Sequence, residues 1–137
     1  TPDELRSVYE TNVFAPFRLV QILLPIMGGE QFTHIVNIGS MGGVQGSVKF
    51  PGLSAYSSSK GALTILTEML AVELAPKNIH TNCIALGAVD TKMLRAAFPG
   101  YSGGQSAVEV ARWINSIATG SGRLINGRTI ELTASTP

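Results

Sequence analysis

Cys83 is the only cysteine among the 137 residues, so no disulfide can form within the chain and a secreted disulfide scaffold is excluded. Its ordinary state is that of a small buried hydrophobe. Charge is scarce: Asp, Glu, Lys and Arg make up 14% of the chain, against about 25% in an average soluble domain. With 45% hydrophobic residues, little polar surface remains, and burial against another surface is expected. The net charge is +1 and the basic residues are scattered, which leaves no electrostatic footprint for nucleic acid or an anionic membrane. The longest apolar stretch, Val13 to Met27, is broken by Arg18 and Gln21 and holds two prolines. It is too short and too interrupted to span a bilayer. No solenoid period is present. His34, His80 and Cys83 have no metal-ligand spacing, so no metal site is expected. The chain opens on Thr-Pro-Asp-Glu, which does not resemble a targeting segment, and a cytoplasmic location is expected.

Thr1, Pro2 and Glu4 form a helix start with a capping box. Apolar residues at helical spacing predict one long helix to about Met27, bent at Pro16 and ended by Gly28-Gly29. His34 to Ile38 reads as a strand closed by Gly39-Ser40, and residues 40–52 as a glycine-rich loop. A second long helix is predicted from Ser54 to Pro76, its apolar face formed by Leu63, Leu66, Leu70 and Leu74. Ile79 to Ala85 reads as a strand, and a second capping box, Ser106 to Glu109, opens a helix with Val110, Trp113, Ile114 and Ile117 on one face. Thr129 to Thr133 is a last short strand. Helices alternating with strands imply βαβ units in a parallel sheet, with ligands beyond the carboxyl ends of its strands. Ser40 and Gly87 to Thr91 occupy those ends.

Tyr56-Ser57-Ser58-Ser59-Lys60 places a phenol and an ammonium at i and i+4, on one helix face. An ammonium beside a phenol favours the phenolate, so the pair suits proton transfer. Alone it is equally a half-buried tyrosine with a lysine snorkelling beside it. Asn12 read alone merely interrupts a helix, Ser40 is one loop hydroxyl among many, and Thr91 caps the helix starting near Lys92. Gly39-Ser40-Met41-Gly42-Gly43 lacks the lysine and glycine pattern of a phosphate loop.

Taken together, IVNIGS, YSSSK, NCIALGAVDT and the upstream SVYETNVFAPF resemble, in order, four motifs of the short-chain dehydrogenase/reductase superfamily, over essentially the whole chain. The resemblance implies the C-terminal part of an α/β, doubly wound, Rossmann-like parallel sheet of three strands with long helices. It implies an NAD(P)-dependent oxidoreductase interconverting a small-molecule carbonyl and alcohol by hydride transfer. Catalytic roles fall on Tyr56 as proton donor or acceptor, Lys60 as its partner and ribose ligand, Ser40 on the substrate oxygen, and Asn12 on a relay water. Gly87, Val89 and Thr91 match the segment along the nicotinamide, and Lys92 to Gln105 matches the substrate lid. Two features depart from the family pattern: Leu86-Gly87 stands where Pro-Gly is usual, and the interval from Ser40 to Tyr56 is a few residues longer.

The family's glycine-rich first turn, its residue selecting NAD or NADP and its Asn-Ala-Gly segment have no counterpart in these residues. Residues 1–137 are therefore expected to be the C-terminal portion of one domain without internal boundary, lacking the nucleotide-binding half and inactive alone. A homo-oligomer through the two long helices is expected, with the strand at His34 to Ile38 left as an open edge. The alternative is a catalytically silent interaction or regulatory module, against which the joint presence of Asn12, Ser40, Tyr56 and Lys60 argues.

Overall fold

A computed structural model describes residues 1–134. Its first turn is the expected capping box, with the Thr1 hydroxyl accepting from Glu4 N and the Glu4 side chain reaching back, and α1 runs Pro2–Tyr9. The long helix expected to about Met27 is present without interruption to Ile26, as consecutive segments of different pitch. A π turn, Glu10–Phe14, follows α1, then α2, Ala15–Leu23, and a 3-10 turn, Leu24–Ile26. Pro16 is the cause: it has no N–H for the Asn12 carbonyl four residues back, and its ring crowds that oxygen. The wider π turn, in which Ala15 N donates to Glu10 O, absorbs the mismatch.

Strand β1, Thr33–Ser40, continues through Gly39 and Ser40 instead of stopping before them. Parallel pairing carries it on, matched residue by residue with β2, Ile79–Leu86, from Thr33 opposite Ile79 to Ser40 opposite Leu86. On the far side of β2 lies β3, Thr129–Leu132, also parallel, so the strand order is β1-β2-β3. This is the α/β parallel sheet that the alternating pattern implied, in the Rossmann-like arrangement that the resemblance implied. The crossover from β1 to β2 is α3, Ser54–Leu74, and a short α4, Lys92–Ala97, and α5, Ala107–Thr119, separate β2 from β3.

Successive side chains of a strand face opposite sides, and both faces of β1 are used. Ile35 joins the core of Val20, Leu70, Leu74 and Ile79 under α2 and α3, while its neighbour His34 faces the Ile117 and Ala118 carbonyls of α5. Ile79, Cys83, Ile84 and Ala85 of the central strand are wholly buried, as a strand covered on both faces requires. Ser106 stands at the N-cap of α5, but its side chain makes no cap hydrogen bond, so the second capping box does not form. The preceding residue is already tied down, Gln105 N donating to Ala88 O and Gln105 O accepting from Asp90 N, and this sets the chain's direction into the helix. Among the described residues no helix is long and apolar enough to cross a membrane, and no group of three His, Cys, Asp or Glu could hold a metal.

At the amino ends of the strands a buried amide ties the sheet together. Asn82 Nδ2 donates to His34 Nε2 at 2.8 Å and to Ile125 O at 3.0 Å, while its Oδ1 accepts from Arg128 N. His34 Nε2 must therefore be an acceptor, which holds the ring neutral with its proton on Nδ1. That Nδ1 points toward α5 without closing a hydrogen bond of normal geometry. Burial, with a small addition from His80, pushes the His34 pKa below its ordinary value, outweighing the nearby carbonyls. Gly122 is packed so tightly here that a Cβ would collide with the His34 ring and the Ile117 carbonyl.

Because the folded state takes up this proton less readily than the unfolded one, His34 contributes stability that is complete above its unfolded pKa, about 6.5. That contribution is lost as pH falls from there through the lower folded value. Denaturant titrations between pH 7.5 and pH 4.5 are expected to show the loss. His34→Gln, which keeps an acceptor for Asn82 and gains no proton, should flatten the profile relative to the unsubstituted chain.

Candidate active site

Tyr56 lies in the first turn of α3 and Lys60 one turn further on, and the i, i+4 spacing has its expected result. The Lys60 ammonium stands 5.8 Å from the Tyr56 ring centroid. It also donates to Ile38 O at 2.8 Å. Thr33 N donates to Asn78 O, next to β2. Main-chain groups alternate sides along a strand in a parallel ladder, so those of His34, Val36, Ile38 and Ser40 face away from β2. No strand among the described residues pairs there. Lys60 thus spans the open edge of the sheet and occupies one of its carbonyls. Burial lowers the Lys60 pKa from its ordinary value, with the neighbouring Cys83 acting in the opposite sense.

Asn12 comes to the same helix from the π turn. Its Nδ2 donates to Ser59 Oγ at 2.9 Å, and Ser59 Oγ donates to Tyr56 O at 2.7 Å. Asn12 and Lys60 together line a groove of about 570 Å3 along the β1 edge, with Ile35, Val36, Ile38 and Leu63. A second, shallower depression of about 650 Å3 lies on α5 alone and holds none of these residues.

Ser40 arrives at α3 through a backbone contact. Its Oγ accepts from Gly42 N at 3.2 Å, and the 3-10 turn Met41–Gly43 lies directly on the helix. A Cβ on Gly42 would lie 3.5 Å from Ser40 Oγ and 3.0 Å from Ser57 Oγ, and one on Gly43 would be 2.6 Å from Lys60 C and 2.7 Å from Gly61 N. The long interval between Ser40 and Tyr56 is folded back on this turn. Ser47 Oγ lies within hydrogen-bond reach of the Met41 and Val44 carbonyls and shares its one proton with them, and Lys49 Nζ donates to Val44 O at 2.7 Å and to Ser47 O at 3.0 Å.

Gly87, Val89 and Thr91 form a second wall beyond β2, tied to β3 and to Gln105 rather than to α3. Gly87 N donates to Leu132 O, Val89 forms a parallel bridge with Gln105, and Thr91 Oγ1 accepts from Leu94 N to cap α4. An edge-on stack of Phe50 and Phe98, centroids 5.1 Å apart, joins the two walls. Sequence reasoning missed Phe50, Ser59 and Gln105, whose neighbours in space are distant in the chain.

A family model described as short chain dehydrogenase matches residues 1–102. The chain belongs to the short-chain dehydrogenase family. Nodulation protein G of Rhizobium sp. (strain N33) is 33% identical over 92% of this chain and 54% of its own length. Dehydrogenase/reductase SDR family member 4 of Mus musculus is 40% identical over 63% of the chain and 30% of its own length. The chain therefore spans about half or less of the length of these relatives. Among solved structures, a short chain dehydrogenase from Burkholderia cenocepacia J2315 in complex with NADP superposes with a TM-score of 0.84 at 26% identity, covering 98% of this chain and 57% of that one. A putative short chain dehydrogenase from Escherichia coli CFT073 complexed with NADPH gives a TM-score of 0.84 at 27% identity over 96% of this chain and 54% of that one. The family match stops before α5 and β3, whereas these superpositions extend over nearly all of the chain.

The contact at Gly43 predicts a measurable effect. Gly43→Ala forces the turn off α3 and should lower stability by about 1–3 kcal/mol, the usual range for overpacking, read from urea unfolding. An unchanged midpoint would show that the turn moves away without cost.

Proposed function

We propose that residues 1–137 carry the acid–base portion of an NAD(P)-dependent oxidoreductase that interconverts a carbonyl and an alcohol, as the C-terminal part of one domain. The observation that carries this reading is the connection of Asn12, through Ser59, to the Tyr56 turn, with the Lys60 ammonium on the same face of α3. A core or a binding surface has no use for this set at the carboxyl rim of a parallel sheet, where α/β folds bind ligands.

The residues of the second wall fit a nicotinamide. Thr91 Oγ1 accepts from Leu94 N, which leaves its hydroxyl proton to donate to a carboxamide oxygen. The buried Gln105 Oε1, on the residue bridged to Val89, has no donor, and a carboxamide N–H would supply one. Either NAD or NADP satisfies these groups, and the neighbours that hold NADP or NADPH support the assignment. When bound, the cofactor supplies or accepts the hydride.

In the direction of reduction, the Ser40 hydroxyl donates to the substrate oxygen as negative charge grows there, and the Tyr56 phenol transfers its proton to that oxygen. Lys60, its cationic form held beside the ring, stabilises the phenolate left behind and binds the ribose hydroxyls. Asn12 holds a water through which the proton is replaced from solvent. For Lys60 to reach the ribose its ammonium must loosen or share its bond to Ile38 O. In oxidation each step runs in reverse.

Exposed apolar side chains on both long helices, Ile22 at 62% and Val72 at 72% exposure among them, support a homo-oligomer through these helices. The second reading, an interaction or regulatory module without turnover, draws on the same surface and the open β1 edge.

In a polypeptide that also carries the nucleotide-binding half, Tyr56→Phe is expected to abolish turnover while leaving cofactor affinity nearly intact. Undiminished activity would remove Tyr56 from the mechanism. The 137-residue chain alone is expected to reduce no carbonyl in the presence of NADH or NADPH. In light scattering at micromolar concentration it should be larger than a monomer, and a monodisperse monomer would count against association through the helices.

A further inference from the structure

The three serines between Tyr56 and Lys60 have three different fates. Ser57 lies beside Gly42, and Ser58 is exposed with its hydroxyl donating to Ala55 O. Ser59 is wholly buried and bonded on both sides. We infer that Ser59 is a positioning residue that fixes the Asn12 amide against the Tyr56–Lys60 turn, an inference that rests on the oxidoreductase reading.

A hydroxyl has a single proton, and that of Ser59 is committed to Tyr56 O at 2.7 Å. Its oxygen can then only accept, so Asn12 must present its NH2, which it does at 2.9 Å. The amide can no longer flip. Its Oδ1 and second amide proton are left at a fixed orientation, on a residue that lines the groove with Lys60. The Tyr56 carbonyl that receives the Ser59 proton is also the oxygen to which Lys60 N–H belongs in a regular α-helix. One hydroxyl therefore sits on the very turn that sets the spacing of phenol and ammonium.

The other end of the connection needs it more. Asn12 lies in a π turn that Pro16 has widened, and a segment with disrupted helical bonding is less constrained by its own backbone. Ser59, carried on the regular part of α3, gives that turn a rigid reference. Without its hydroxyl, Asn12 Nδ2 loses the acceptor that orients it, and the amide is free to turn over.

The test uses the polypeptide that includes the nucleotide-binding half. Ser59→Ala removes atoms from a packed site and introduces no clash. It should lower kcat by roughly ten- to a hundredfold, as small misplacements of catalytic groups do, with KM little changed and the pH profile of kcat displaced. Combining Ser59→Ala with Asn12→Ala should cost no more than Asn12→Ala alone, because both remove one connection. Ser59→Thr, which keeps the hydroxyl, should recover most of the loss.

An unaltered kcat and pH profile in Ser59→Ala, or fully additive losses in the double variant, would overturn the assignment. So would activity that falls only in step with the melting temperature. If these occur while Tyr56→Phe is inactive, the positioning role alone fails. A fully active Tyr56→Phe enzyme would instead strike the underlying reading.

Discussion

Leu63, Leu70 and Leu74 line one face of α3 and are almost wholly buried, the last two packing with Val20 and Ile79 beneath α2 and above the sheet. Burying a leucine is worth roughly 1.5–3 kcal/mol, so this face fixes the height and rotation of the helix over β1 and β2. A buried hydrogen bond adds register: Asn37 Nδ2 donates to Thr67 Oγ1 at 2.9 Å. Tyr56 and Lys60 sit on the same rigid rod, so the apolar contacts of its second half decide where the polar groups of its first half stand. The Met41–Gly43 turn then brings Ser40 to that rod by backbone contact.

The edge of β1 imposes the second constraint. Unpaired main-chain groups along an exposed strand invite pairing with a further strand. The Lys60 ammonium lies on one of them, Ile38 O. Its lowered pKa has burial as the main cause, and the carbonyl supplies part of the hydration the ammonium has given up. The groove beside it exposes β1 between α2 and α3, where apolar surface and open backbone meet.

Much of the architecture was legible because it is periodic. The 3.6-residue spacing of the leucines in α3 and the β-branched runs of β1 and β2 each declare one element, and their alternation implies the parallel sheet. The failures have local causes. The helix expected to Met27 widens into a π turn ahead of Pro16, which cannot satisfy Asn12 O. The box at Ser106 does not close because the bonds of Gln105 to Ala88 and Asp90 have already aimed the chain. In both cases main-chain hydrogen bonding, missing at Pro16 and already committed at Gln105, modified a pattern that was read correctly as a pattern.

The sequence by itself determined the kinds of groups and their order: a phenol and an ammonium one helical turn apart, a hydroxyl at the end of one strand, and a threonine cap beyond the next. Spacing along a helix or strand is a property of covalent geometry, so these placements follow without knowledge of the rest of the molecule. The tertiary structure decided which of three adjacent serines is buried and therefore bonded. It also decided that Lys60 reaches across the sheet edge to Ile38 O and that Gln105 lies beside Val89. These depend on contacts between residues far apart in the chain, and no local rule ranks one serine above its neighbours until packing takes Ser59 alone away from water.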